Sequence, residues 1–166
     1  MSPAETSDAR IAVVIPCYND GDLVGETIDS ISEDEPVELV VVDDASPDEH
    51  TREVLADLAS NGTRVVRHEQ NRGLGAARTT GVRSTSAPYV FPLDSDDMAV
   101  PGAIGRLADL LESDESAVVA YGDYQEFGDV DLVRPVPSRV DPFRIAYTNE
   151  YPVTSLYRRV HGHPAG

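Results

Sequence analysis

An α/β fold, built on an open and mostly parallel sheet flanked by helices, is predicted by three features of the sequence. Short, continuous, β-branched apolar runs recur along the first ninety-odd residues, a pattern that suits strands buried on both faces. Amphipathic helical patterns separate them, so strand and helix alternate as right-handed crossovers require. The length of 166 residues accommodates one core of useful size, and 40% of the residues are hydrophobic, enough to fold.

The first run, Ile11-Ala-Val-Val-Ile15, is expected to stop at Pro16. Val24, Ile28 and Ile31 then form one apolar stripe at helical spacing. Val37 to Val42 is the second strand, ended by Asp43 and Asp44. Ser46-Pro47-Asp48-Glu49 reads as a capping box with Ser46 at the N-cap, ahead of a buried face of Val54, Leu55 and Leu58. Thr63 to Arg67 is a third, shorter strand, followed by a small-residue helix from Gly73 to Ser84. Pro88 to Leu93 is the fourth strand, and Ile104, Leu107, Ala108 and Leu111 mark the fourth helix.

Beyond Ser113 the pattern thins. Ala117 to Tyr121 reads as a fifth strand, Val130 to Val133 as a short one, Pro142 to Tyr147 as a short helix and Val153 to Tyr157 as a final strand. The resulting organisation is a flexible tail over residues 1–9, one domain over 10–160 and a loose end over 161–166. His161 and His163 fall in that end, where solvated histidines are the expectation.

Charge excludes several partners. Thirteen basic residues, all arginine, face 30 acidic ones for a formal net charge of −17. Such a surface does not bind nucleic acid or anionic lipid non-specifically. The single cysteine, Cys17, excludes a disulfide framework and a cysteine-based zinc site. With no membrane-length apolar run and a polar, acidic N-terminus, a cytoplasmic location is the expectation.

Polar residues gather where the strands end. The first leads into Pro16-Cys17-Tyr18-Asn19-Asp20, the second into Asp43-Asp44-Ala45-Ser46, and the fourth into Asp94-Ser95-Asp96-Asp97. In an open parallel sheet, ligands bind outside these carboxyl ends. Acids so close together repel unless a positive charge sits between them, and a hard divalent cation shared with substrate phosphates meets that need. Asp43 is equally well read as a residue that shapes the turn.

Several acid-bearing families fail on specific positions. An EF-hand loop beginning at Asp94 needs oxygen, Gly and Glu at its fifth, sixth and twelfth places; Met98, Ala99 and Gly105 stand there. A haloacid-dehalogenase-like phosphatase, a response-regulator receiver and a P-loop enzyme each call for a lysine, and the chain contains none. A Rossmann dinucleotide site is excluded because Gly73-Leu-Gly75-Ala-Ala-Arg78 lacks the third glycine and follows the third strand.

Four motifs in order, Val13-Val-Ile-Pro-Cys-Tyr-Asn19, Val40-Val-Val-Asp-Asp-Ala-Ser46, Asn71-Arg-Gly-Leu-Gly-Ala-Ala-Arg78 and Leu93-Asp-Ser-Asp-Asp97, resemble those of a family 2 glycosyltransferase of the GT-A fold. The resemblance runs from about Arg10 to Arg159. It implies transfer of a sugar from a nucleotide-diphospho-sugar donor to an acceptor hydroxyl, with inversion and with Mn²⁺ or Mg²⁺ as cofactor. The acceptor, whether glycan, lipid or small molecule, is left open.

By the same resemblance, Pro16 and Tyr18 line the donor base, and Asp44 accepts a hydrogen bond from its ring nitrogen. Arg78 faces the nucleotide, and Arg72 either helps neutralise the diphosphate or is a surface arginine. Asp96 is the first metal ligand of the Asp-x-Asp element and Asp97 its partner; Asp94 goes to the ribose, or to the ion through water. The family's general base lies beyond the segment resembling Val153 to Arg159, and no acid follows Glu150. The resemblance therefore implies a domain lacking its acceptor side, with Asp123 as a weak stand-in base better read as structural. Two other readings stay open: a non-catalytic nucleotide-sugar-binding module or inactive fragment, and a metal-dependent phosphotransferase or nucleotidyltransferase.

Overall fold

The computed structural model describes residues 8–137 and 154–159. Their main sheet has six strands: β1 (Ile11–Cys17), β2 (Val37–Asp43), β3 (Arg64–Arg67), β4 (Tyr89–Pro92), β5 (Val119–Ala120) and β8 (Leu156–Arg158). Two more, β6 (Tyr124–Glu126) and β7 (Leu132–Arg134), form a separate antiparallel hairpin. Four helices, α1 (Gly21–Asp29), α2 (Glu49–Ser60), α3 (Leu74–Arg83) and α4 (Ala103–Ser113), connect the first five strands. The sheet order is β3-β2-β1-β4-β8-β5, with β1 to β4 parallel and β8 antiparallel to both of its neighbours. The predicted open, mostly parallel sheet is therefore present.

The continuous apolar runs are explained by burial on two faces. All seven residues of β1 are buried. Ile11, Val13 and Ile15 pack with Val24 of α1, Leu55 of α2 and Ile104, Ala108 and Leu111 of α4. Ala12 and Val14 point the other way, toward Ala77 and Val82 of α3. Alternation of side chains along a strand thus feeds two cores from one run. On the second face the fit is so close that a Cβ added at Gly81 would stand 2.2 Å from Val14 Cγ1.

Two local expectations are corrected. Pro16 does not end β1, which continues to Cys17 with Pro16 opposite Val42. Even-numbered residues there turn their polar groups toward β4: the Val14 carbonyl accepts from Leu93 N–H at 3.0 Å, and the β1–β4 pairing ends at Val14 opposite Pro92. The missing N–H of Pro16 therefore faces a gap in the ladder, where it removes no bond. Ser46 is not the N-cap of α2. Asp48 holds that position, and its carboxylate accepts from Thr51 N–H and Thr51 Oγ1, each at 2.7 Å. Ser46 is buried two residues earlier, its hydroxyl accepting from Asn19 N–H.

The predicted terminal strand is β8, inserted between β4 and β5. Arg158, its last residue, and the adjacent Arg159 reach helices on opposite faces and satisfy carbonyls there. Arg158 donates to Leu111 O of α4, and Arg159 to Val82 O of α3. The short strand expected at Val130 to Val133 is β7, and its partner β6 carries no apolar run. Ala9, in the expected tail, is buried. The helix expected at Pro142 to Tyr147, and His161 with His163, lie outside the described residues.

Candidate functional site

The sheet order reverses direction between β1 and β4, because α1 and α3 cover opposite faces. At such a switch point the loops leaving the two strands diverge and leave a cleft. Here the cleft has a volume of about 310 Å³, and its lining includes Pro16, Tyr18, Asp44, Asp94 and Asp96. Residues from three separate strand exits are thus brought together. Tyr18 presents an exposed ring at the mouth, while Pro16 is buried.

Asp44 is the most constrained of them. It is only 3% exposed, and its carboxylate accepts three hydrogen bonds. Oδ1 takes His68 Nδ1 at 2.6 Å and Arg72 N–H at 2.9 Å; Oδ2 takes Gly73 N–H at 2.7 Å. Burial alone raises a carboxyl's pKa, but the bonds from His68, Arg72 and Gly73 outweigh it and hold Asp44 below the ordinary aspartate value. With two acceptor positions per oxygen, Oδ1 is filled and Oδ2 keeps one.

The turn that delivers these amides needs Gly73, whose φ of 85° lies in the left-handed region that L side chains rarely adopt. Arg72 contributes its backbone to Asp44; its side chain is exposed. Asp43 is structural: Oδ1 accepts from Ser46 N–H and Oδ2 meets Arg67 Nε at 3.3 Å. Cys17 is buried, and burial pushes its thiol up to about 11, so it stays protonated at neutral pH.

The acids after β4 divide unequally. Arg78 Nη2 donates to both oxygens of Asp94, so that acid is neutralised by α3. Arg78 itself borders a second cleft of about 430 Å³, beside Val14, Val82 and Val90 and with Arg158 and Arg159 also in its lining. Ser95 is buried, donating its hydroxyl to Asp20 Oδ2 at 2.6 Å and accepting Thr27 Oγ1 at its carbonyl. Asp96 is exposed to the first cleft, and Asp97 is half-buried. Burial first, then the charges of Asp96 and Asp94, raise the Asp97 carboxyl above the ordinary aspartate value.

Among the described residues, neither Asp96 nor Asp97 forms an ion pair, and no three His, Cys, Asp or Glu side chains converge to hold a metal by themselves. Two adjacent carboxylates without an ion pair fit a hard cation that takes its remaining oxygens from a ligand. Asp123 accepts from Val136 N–H at 2.9 Å and ties the strands of the hairpin region together.

His68, which follows β3 and is 7% exposed, belongs to none of the four sequence motifs. One signal was available. An imidazole just past the carboxyl end of a predicted strand, on the sheet edge where Asp43 and Asp44 also emerge, is well placed for a carboxylate partner.

Residues 12–161 match the family model described as Glycosyl transferase family 2. The chain belongs to that family. Family 2 relatives of similar sequence include the succinoglycan biosynthesis protein ExoU of Rhizobium meliloti (strain 1021). It is 31% identical over 150 residues, covering 85% of this chain and 43% of the relative. The uncharacterized glycosyltransferase EpsJ of Bacillus subtilis (strain 168) is 30% identical over 122 residues, covering 72% and 35%. This family 2 chain therefore spans less than half the length of these relatives.

Solved structures agree on a GT-A fold. S. aureus TarS 1–349 superposes with a TM-score of 0.70 at 25% identity, covering 90% of this chain and 47% of that one. TarS 1–349 has also been solved in complex with UDP-GlcNAc, with the same TM-score of 0.70. The mannosyltransferase PcManGT of Pyrobaculum calidifontis, in complex with GDP-Man and Mn²⁺, reaches 0.57 at 25% identity over 66% of this chain and 34% of its own. Among the described residues no helix is long and apolar enough to cross a membrane.

Proposed function

We propose that this chain binds a nucleotide-diphospho-sugar in the cleft between the exits of β1 and β4, and that it serves transfer of the sugar to an acceptor hydroxyl with inversion. The observation that carries the reading is the pairing, in one cleft, of an ionised Asp44 that keeps one acceptor position with an exposed, unpaired Asp96. The first recognises a hydrogen-bond donor on the base; the second suits the phosphate end of the same ligand. Pro16 and Tyr18 supply apolar surface against the base, and Arg72 lies on the turn that flanks Asp44.

Asp96 and Asp97 would hold Mn²⁺ or Mg²⁺, which when bound supplies positive charge opposite the donor's diphosphate. The chain's own residues then do the positioning. Arg78 keeps Asp94 neutralised, so the negative charge of the loop is concentrated on Asp96 and Asp97. The Ser95 bond to Asp20 and the Thr27 bond to the Ser95 carbonyl anchor that loop to α1.

Complexes of TarS with UDP-GlcNAc and of PcManGT with GDP-Man and Mn²⁺ support this class of ligand. The test is a set of thermal melts with UDP, GDP, dTDP and CDP, with and without Mn²⁺, on the parent and on Asp96→Ala. The reading requires stabilisation that depends on Mn²⁺ and disappears in the variant. An Asp96→Ala chain that responds like the parent sinks it. Release of free nucleoside diphosphate from a nucleotide-sugar separates a transferase from a module that only binds the donor; release of pyrophosphate from a nucleoside triphosphate indicates a nucleotidyltransferase.

A further inference from the structure

His68 sits beneath the cleft, where the end of β3 meets α3. Its Nδ1 lies 2.6 Å from Asp44 Oδ1, and its Nε2 lies 2.8 Å from Thr80 Oγ1. An ionised carboxylate can only accept, so Nδ1 carries the hydrogen. In the neutral ring, Nε2 then accepts from the Thr80 hydroxyl. The sheet sets up this chain of contacts: Asp43 pairs with Arg67 in the β2–β3 register, and His68 N–H donates to the Asp43 carbonyl. The next residue of each strand exit, Asp44 and His68, is thereby brought side by side.

We infer that His68 is a positioning residue for base recognition. Held by Thr80, it fills the last acceptor position on Asp44 Oδ1 and fixes the carboxylate's rotation, so the position left on Oδ2 is the one a ligand meets. The inference rests on the donor reading above and deepens it. A rigid, acceptor-only oxygen favours a base whose ring nitrogen carries a hydrogen, as in uracil, thymine and guanine. It disfavours cytosine and adenine, whose corresponding nitrogen is itself an acceptor. Without His68, the carboxylate keeps only its two backbone donors, one on each oxygen; an acceptor position opens on Oδ1, the hold loosens, and that discrimination weakens.

The experiment measures dissociation constants of UDP, CDP, GDP and ADP in Mn²⁺ by calorimetry, for the parent, His68→Leu, His68→Asn and Thr80→Val. The readout is the ratio of affinities within each pair, UDP over CDP or GDP over ADP. A general loss of packing lowers both members and leaves the ratio alone. His68→Leu should reduce the ratio about tenfold, the order expected for a hydrogen bond to a charged group. His68→Asn, whose Nδ2 takes the place of Nδ1, should restore most of it. Thr80→Val keeps the imidazole and should reduce the ratio by a smaller factor; if His68→Leu does not fold, this variant decides. A parent that discriminates while the folded variants discriminate equally overturns the role of His68 alone. A parent that binds none of the four nucleotides overturns the donor reading, and this inference with it.

Discussion

Arg78, on the second turn of α3, places one guanidinium nitrogen 2.6 Å and 2.8 Å from the two oxygens of Asp94. The first acid of the Asp94–Asp97 run is thus satisfied inside the protein, and two acids remain to face a ligand. Charge-assisted pairs of this kind, partly shielded from water, hold structure as well as charge.

Asp94 and Asp96 should therefore separate by readout. Asp94→Asn is expected to lower stability by about 1 kcal/mol through the weakened pair. Asp96→Ala, at an exposed position without an ion pair, should stay within about 0.5 kcal/mol of the parent. Denaturant melts without ligand measure both, and equal losses would contradict the division described.

Acid should expose the contribution of Asp44. Its folded pKa is depressed below the unfolded value, so its stabilisation is fully present above the ordinary aspartate pKa of about 3.9. It is lost as pH falls through the lower folded value. Asp44→Asn is expected to be less stable than the parent at pH 7, by about 2 kcal/mol, because an amide cannot accept on both sides. That gap should shrink as the pH drops below about 4. Melting temperatures from pH 7 to pH 2.5 check it; a constant gap would deny the linkage.

Gly81 and Val14 should show coupling. A methyl at Gly81 would stand 2.2 Å from Val14 Cγ1, so Gly81→Ala is expected to cost about 1–3 kcal/mol by overpacking. Val14→Ala leaves room for that methyl. The double variant should then lose less than the sum of the single ones, which a double-mutant cycle in urea measures.

Ala45 is held at a φ of 61°, where an L side chain costs about 1–2 kcal/mol. Ala45→Gly should raise the unfolding free energy by up to about 1 kcal/mol, and the urea midpoint with it, because glycine's greater freedom in the unfolded chain offsets only part of the relief. A midpoint that falls would mean that the Ala45 methyl contributes packing worth more than the strain.

Much of this protein could be read from residue order. Runs such as Ile11 to Ile15 and Val37 to Val42 are apolar without alternation, and only burial on both faces makes such runs stable, so the strands and the covered sheet follow from composition in short windows. Chain direction places Tyr18, Asp44 and Asp96 at one edge, because parallel strands all end on the same side. Residue order did not reveal the antiparallel insertion of β8 between β4 and β5, or a β6 strand without an apolar run. It also missed the cap at Asp48, where Ser46 was already committed to Asn19. The partners that give the acids their separate characters, His68 for Asp44 and Arg78 for Asp94, came only from the tertiary structure. Local periodicity records which face of an element is buried; hydrogen bonds between side chains 16 or 24 positions apart depend on the register of strands and the seating of helices, which no short window contains.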